Sequence, residues 1–386
     1  MDTAASPARI EAGPVAAPAS ASAPGPDARV RRAAGDRTYP LRRGLEAVLV
    51  PLAALLLAAA AFSVFLLLLG HSPGAFFALV WRGAFGSWFS FQNTLQRAAP
   101  LMLTALCVAL PARLGLVVIG GEGAVVLGGL AAAVAALALG GWPPLLVQAG
   151  MAAAGALVGA AWIGASGWLK AARGINETIA SLLLAYLGVA LFNHLVEGPL
   201  RDPTSPNKPS TAAIGDATML GSLPGTEVHP GLALGFVACL AAWVLVDRTA
   251  VGFAARVTGG NLRAARLQGL PVGRLIVAFC ALGGACAGLA GAVEVAAVHG
   301  RANASLAAGY GYAGILIAFL ARHNPLAVVP MAVLLGGVAA SGGLVQRRLG
   351  LPDATALVLQ GVVFVAVLAS ETFYGRLRWF RPRGAG

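Results

Sequence analysis

Charge is what this sequence has least of. Asp, Glu, Lys and Arg make up 11% of its 386 residues, against about a quarter in an ordinary soluble domain. A chain so poor in charge, and 58% hydrophobic, cannot wrap a core in a hydrated surface, which excludes a water-soluble globule of the usual kind. Lysine is nearly missing, with Lys170 and Lys208 the only two, followed by Ala171 and Pro209. A phosphate-cradling P-loop needs GxxxxGK followed by Ser or Thr, so the chain does not hydrolyse ATP by that route. The four cysteines, Cys107, Cys239, Cys280 and Cys286, lie in apolar runs without CxxC spacing. They read as buried packing thiols and indicate neither a disulfide framework nor a metal site. No GxSxG elbow, HExxH helix or ligand cluster appears, and the five histidines are scattered near helix ends or in loops. No enzyme and no resident cofactor or metal is expected.

What is present is long apolar runs. Stretches close to 20 residues long recur from Leu45 to Tyr374, and about 20 such residues are needed to cross the hydrocarbon core as a helix. Backbone in lipid must satisfy its own hydrogen bonds, so only helices or closed barrels can span it. Barrel strands alternate in short segments, whereas these runs are unbroken and rich in Leu, Ala, Val and Gly. The expected fold is an all-α membrane protein of about ten transmembrane helices, at 45–69, 98–113, 118–139, 143–168, 176–196, 230–248, 274–298, 311–322, 325–345 and 353–374. Glycines at 115, 120, 121 and 123 leave open a re-entrant pair for the second and third. The run that starts at Leu45 is too long for a signal-peptide core and reads as a retained helix.

Basic residues test the layout. The net charge is +12, but arginines sit between apolar runs, so the charge belongs to topology rather than to nucleic acid. With the amino terminus in the cytoplasm, the inside segments hold 20 of the 27 Lys and Arg, as the positive-inside rule requires. Both termini are then expected inside. Arg347 and Arg348 fit least well, since they fall outside. Residues 1–44 are expected to form a basic cytoplasmic tail, disordered through its low apolar content, residues 45–375 the transmembrane domain, and 376–386 a second basic tail. A Pro-rich external loop covers 197–229. An internal basic loop covers 249–273, where Asn261 is placed to cap a short helix between Gly260 and Pro271.

Small residues at helical spacing, Gly155 and Gly159, Gly284 and Gly288, and the stripe Gly283, Ala287 and Gly291, point to close helix packing. Glu294 shares that stripe, and an intramembrane carboxylate usually faces protein or a water-filled path. It is either a pathway group or a structural hydrogen bond. Glu122 sits among glycines in Gly120-Gly121-Glu122-Gly123. Asn176 and Glu177 open the fifth span, as helix caps or as a gate.

These segments resemble the inner-membrane permeases of ABC importers for simple sugars, nucleosides and branched-chain amino acids, most of all the nucleoside (purine-type) members. The resemblance covers about 45–375. It is carried by Pro100-Leu101-Met102-Leu103-Thr104, Gly115 and Ile119–Gly123; by Gly174-Ile175-Asn176-Glu177-Thr178-Ile179; by Glu197-Gly198-Pro199 with Asp202-Pro203; by Gly260-Asn261, Ala264-Ala265-Arg266 and Gly269-Leu270; and by Gly309–Tyr312, Gly314-Ile315 and Asn324-Pro325-Leu326. Ala124 and Ala185 depart from it, standing where Gln and Asn are usual. The resemblance implies a type II importer-like bundle in a bacterial inner membrane. It implies that the segment with Gly260, Asn261, Ala264, Ala265, Arg266 and Gly269 docks on a cytoplasmic ABC ATPase, which binds the ATP and Mg. Its other partners would be a second permease, the same or related, and an extracytoplasmic solute-binding protein. Glu122, Asn176, Glu177 and Glu294 are the candidate pathway or gate residues. The rival readings are an ion-coupled secondary transporter, with Glu294 as the ion group, and a membrane scaffold without transport.

Overall fold

The computed structural model describes residues 39–205, 208–352 and 354–371. Of the expected tail at 1–44, residues 1–38 lie outside them and residues 39–44 begin the first helix; the tail at 376–386 lies outside them. Among the described residues the chain is helical, with one isolated antiparallel bridge between Ser210 and Asn303. Residues 51–371 form one compact unit.

Among the described residues, eight helices are long and apolar enough to cross a membrane. They are α1 (Tyr39–Leu68, of which Leu49–Leu68 qualifies), α3 (Trp88–Ala112), α4 (Gly121–Ala138), α5 (Pro144–Arg173), α6 (Glu177–Glu197), α7 (Gly231–Arg248), α10 (Val272–Glu294, continued by a π turn to His299) and α12 (Pro325–Leu349). Between them lie α2 (Pro73–Phe85), α8 (Ala250–Gly260), α9 (Leu262–Leu267) and α11 (Tyr310–Leu320), and α13 (Ala354–Glu371) follows. Where about ten spans were expected, eight helices of spanning length stand among the described residues, with shorter apolar helices at the eighth and tenth expected positions. The eleven residues of α11 rise roughly 16 Å, about half of a ~30 Å hydrocarbon core.

Two boundaries differ instructively. The second span starts at Trp88, ten residues before the expected 98, and runs 25 residues through Pro100. Gln92, Asn93, Gln96 and Arg97 depress local hydropathy there, but neighbours satisfy much of that polarity. Gln92 Oε1 accepts the Glu227 N–H at 2.8 Å, the Gln96 amide donates to the Glu227 carbonyl, and Thr94 donates to the Ala84 carbonyl at 2.8 Å. Ser87 caps the helix, accepting from the Ser90 N–H. At 25 residues it is long enough to span without re-entering. The other difference is α2, which lies in what the sequence assigned to a connection. Ser72 at its N-cap and Pro73 at its first position are the ordinary start signals of a helix.

Close packing holds the centre. Lipid supplies no hydrophobic force between helices, so tight backbone contact must. A Cβ on Gly288 would collide with the Gly155 carbonyl and the Gly159 Cα, and one on Gly159 with the Gly284 carbonyl. The two GxxxG pairs seen in the sequence therefore meet each other, joining α5 to α10. Gly291 lies on the Val125 carbonyl of α4, and Gly283 on the Cys107 backbone of α3. The small-residue stripe of α10 is where α3 and α4 converge.

The two ends of the bundle differ. One carries α8 and α9. The other carries the 198–229 segment, whose residues 211–220 pair with residues 296–302 through the Thr211 N–H to the Ala302 carbonyl (2.9 Å), the Ile214 N–H to Gly300 (3.0 Å) and the Leu220 N–H to Ala296 (2.7 Å).

Candidate functional site

The α8–α9 segment is built around Asn261. Its side-chain oxygen accepts the N–H groups of Arg263 and Ala264, both at 3.0 Å, so the expected cap forms, though α9 has only six residues. The sequence did not anticipate α8, which Thr249 caps through the Gly252 N–H. Gly259 packs on the Arg113 carbonyl and Leu114, and Arg256 donates to the Val246 carbonyl and pairs with Asp247 at 3.3 Å. Ala265 is fully buried and Ala264 half-buried, whereas Gly260, Arg263, Arg266 and Gly269 are exposed. Gly269 ends the turn at φ +76°, a conformation glycine adopts without steric cost. Phe253 and Leu267 are exposed as well, Leu267 at 89%. The segment thus offers arginines and apolar side chains from a firmly seated base.

At the same end, α5 passes to α6 through Gly174 (φ +69°). Asn176 caps α6, its oxygen accepting the Thr178 and Ile179 N–H groups at 2.9 and 3.2 Å. Lys170 reaches Glu177 at 2.8 Å, tying the last turn of α5 to the first of α6. Thr178 donates to the Val117 carbonyl at 2.8 Å, and Ser181 accepts the Ile119 N–H at 3.0 Å. These bonds hold the extended segment that leads into α4.

Glu122 lies deeper, 2% exposed, in the first turn of α4. Its Oε1 accepts the Gly309 N–H at 2.8 Å and its Oε2 the Gly311 N–H at 2.7 Å. Gly309, the N-cap of α11, has no side chain to cap with, so a carboxylate from another helix does it. One anion thereby sits at the amino-terminal ends of two helices, where both dipoles favour it. Glu294, at the end of α10, is 3% exposed. It hydrogen-bonds Tyr310 and lies 3.5 Å from His299 Nε2, while the Arg97 guanidinium acts electrostatically on both Glu294 and Tyr310. Both carboxylates therefore bear on the start of α11. Beside that start, a cavity of about 550 Å³ opens between α11 and α13, bordered by Gly309, Tyr312, Gln360 and Phe364.

The sequence matches the family model described as "Branched-chain amino acid transport system / permease component" over residues 90–368, which takes in α4 to α12 and most of α3 and α13. The chain belongs to this permease family. Among curated proteins, the permease is 33% identical to a glucose ABC transporter permease of Haloferax volcanii, over 84% of this chain and 87% of that protein. It is 28% identical to a guanosine ABC transporter permease of Bacillus subtilis, over 88% and 99%. It is 26% identical to a nucleoside ABC transporter permease of Lactococcus lactis, over 83% and 91%. The resemblance read from the motifs is borne out, and sugar permeases stand beside nucleoside permeases among the relatives.

Of the sequence-predicted residues, the structure of the permease brings Asn176 and Glu177 together at one end and points Glu122 and Glu294 at α11 from two sides. Gly260 to Gly269, expected from the resemblance to dock on an ATPase, form a separate segment at the α8–α9 end. Sequence reasoning did not single out Lys170 as the partner of Glu177, nor Tyr310, Arg97 and Gln360. Lys170 carried a signal, being one of two lysines in the chain and seven residues before Glu177. Gln360 carried one too, as a lone polar group within the apolar run of α13.

Proposed function

We propose that the permease is the membrane subunit of a binding-protein-dependent ABC importer, moving a small polar solute by alternating access. Nucleosides, related purine compounds and simple sugars are the solute classes this reading favours, as the names of the guanosine, nucleoside and glucose permeases suggest. The observation that carries it is the α8–α9 segment in a chain of this family. The segment is seated through the buried Ala255, Thr258 and Ala265, with Gly259 against Arg113 and Leu114 just past α3, while Arg263, Arg266 and Leu267 project, which suits a contact on a separate protein. The arginines on the connection from α7 to α10 support placing this end in the cytoplasm of a bacterial inner membrane, with both termini on that side. ATP and Mg bound on a cytoplasmic ATPase would shift α8 and α9. The work comes from the different affinity of ATP for the two states. A second permease, identical or related, completes the path, and a solute-binding protein delivers to the opposite face, at the 198–229 segment. In this reading the Lys170–Glu177 pair and Asn176 form the inner gate.

An ion-coupled transporter usually uses intramembrane carboxylates or broken helices to hold its ion. Both Glu122 oxygens are engaged by N–H groups and Glu294 by Tyr310, which disfavours that alternative. The test is gentle extraction of the tagged chain followed by mass spectrometry. A stoichiometric P-loop ATPase is expected with the wild type, and Arg266→Glu should abolish its coupling to uptake while leaving membrane insertion intact. Normal uptake by Arg266→Glu removes the docking claim, and a chain that reproducibly emerges alone removes the ATP-driven one.

A further inference from the structure

We infer that the cavity between α11 and α13 is the solute chamber of this chain and that it accepts only uncharged solutes. This rests on the importer reading above. The cavity, about 550 Å³, has no charged side chain in its lining among the described residues and is of a size that small-molecule sites commonly have. Its polar groups are the Tyr312 phenol, the Gln360 carboxamide and backbone around Gly309, set among apolar walls such as Leu316, Leu357 and Phe364. Moving an ion into such surroundings is costly unless a partner charge waits for it, and the described lining offers none.

The one feature that would attract an anion is already neutralised. The amino-terminal end of a helix binds phosphates and carboxylates through its free N–H groups, and α11 starts at the edge of this cavity. There the N–H groups of Gly309 and Gly311 are taken by the two oxygens of Glu122. The same bonds occupy the Glu122 charge, so it offers little to a cation. What remains is a phenol, a carboxamide that both donates and accepts, and the Phe364 ring. That set suits a solute with hydroxyls or amide-like edges and a flat face, such as a free sugar or a nucleoside. It rejects a phosphorylated sugar, a nucleotide or an amino acid zwitterion. Its position agrees, because α11 is a half-length helix that begins inside the bundle, and interrupted helices mark solute sites in other transporters.

The test reads thiol accessibility, so it can be run before the solute is identified. Gln360→Cys, Tyr312→Cys and Gly361→Cys are made separately in the full chain, purified with whatever ATPase accompanies it and placed in lipid vesicles. Gly361 borders the cavity and has nothing within 4 Å of an added Cβ, so its variant should fold even if the others do not. Each variant is treated with hydroxyethyl, sulfonatoethyl or trimethylammonioethyl methanethiosulfonate, with rates normalised to a free thiol and the wild type as background. The neutral reagent should react at least about tenfold faster than either charged one, a ratio that corresponds to roughly 1.4 kcal/mol. Equal rates for all three would overturn the charge selection. Reaction with lipid-soluble maleimide alone would show that the crevice faces lipid and overturn the chamber itself. The co-purified ATPase reports separately on the importer reading. If it is present and the thiols are silent, only the chamber falls; if it is absent and the thiols react selectively, only the ATP drive falls.

Discussion

If Glu122 is the amino-terminal cap of α11, its loss should be felt first as instability. In Glu122→Ala, two hydrogen bonds of 2.8 and 2.7 Å to a charged acceptor disappear, and bonds to charged groups contribute about 1.5–3 kcal/mol each. The Gly311 N–H is buried and α4 contributes no replacement, so the expected loss is about 3–6 kcal/mol. Glu122→Gln keeps the size and one carbonyl acceptor but turns an NH₂ toward the other N–H. It should lose roughly half as much, about 1.5–3 kcal/mol. The order wild type, Gln, Ala is therefore expected in detergent-induced unfolding followed by tryptophan fluorescence. Limited proteolysis should locate the earliest cuts around 304–312. A gate residue predicts something else. If Glu122→Gln unfolds within about 0.5 kcal/mol of the wild type, the scatter of an ordinary surface change, yet uptake collapses, then the carboxylate serves transport and not the cap, and the reasoning is refuted.

Gly288→Val should separate α5 from α10, because the new side chain overlaps the Gly155 carbonyl, and should cost about 3 kcal/mol in the same unfolding assay. Gly361→Ala, in open space on a helix, should be neutral or gain about 0.5 kcal/mol; equal effects at the two sites would discredit the packing account. The Lys170–Glu177 pair, at 2.8 Å and partly exposed, should show a coupling of about 1 kcal/mol or less in a double-mutant cycle, with the swap Lys170→Glu/Glu177→Lys recovering more uptake than either single reversal. His323, in the turn between α11 and α12, is held down to about 4 from 6.5 by burial and by the Arg113 and Arg322 charges. The unfolded chain thus binds a proton that the folded one does not between these pH values. Stability should be steady above about pH 6.5 and fall as pH drops toward 4. His323→Asn, which tolerates the φ of +55° there, should flatten that fall in thermal denaturation measured from about pH 4 to 7.

The apolar runs could be read as helices from the linear chain because lipid leaves the backbone few other choices. The GxxxG pairs could be read for a similar reason: their spacing puts them on one face of a helix whatever that face meets, and they proved to meet each other. Asn176 and Asn261 were legible as caps, since a cap bonds two or three residues along. Other features depend on distant partners. The polar start of α3 is helical because Glu227, 135 residues away from Gln92, satisfies it, and a hydropathy window cannot see that. Glu122 could not be told from a gate by its glycine neighbours, because its bonds go to Gly309 and Gly311, 187 and 189 residues further on. The cavity beside Tyr312 and Gln360 is likewise formed where α11 and α13 come together. Helix formation and capping are local energies, carried by the order of residues along the chain. Who satisfies a buried carboxylate, and where an uncharged space is left, are settled only when helices far apart in sequence pack against one another.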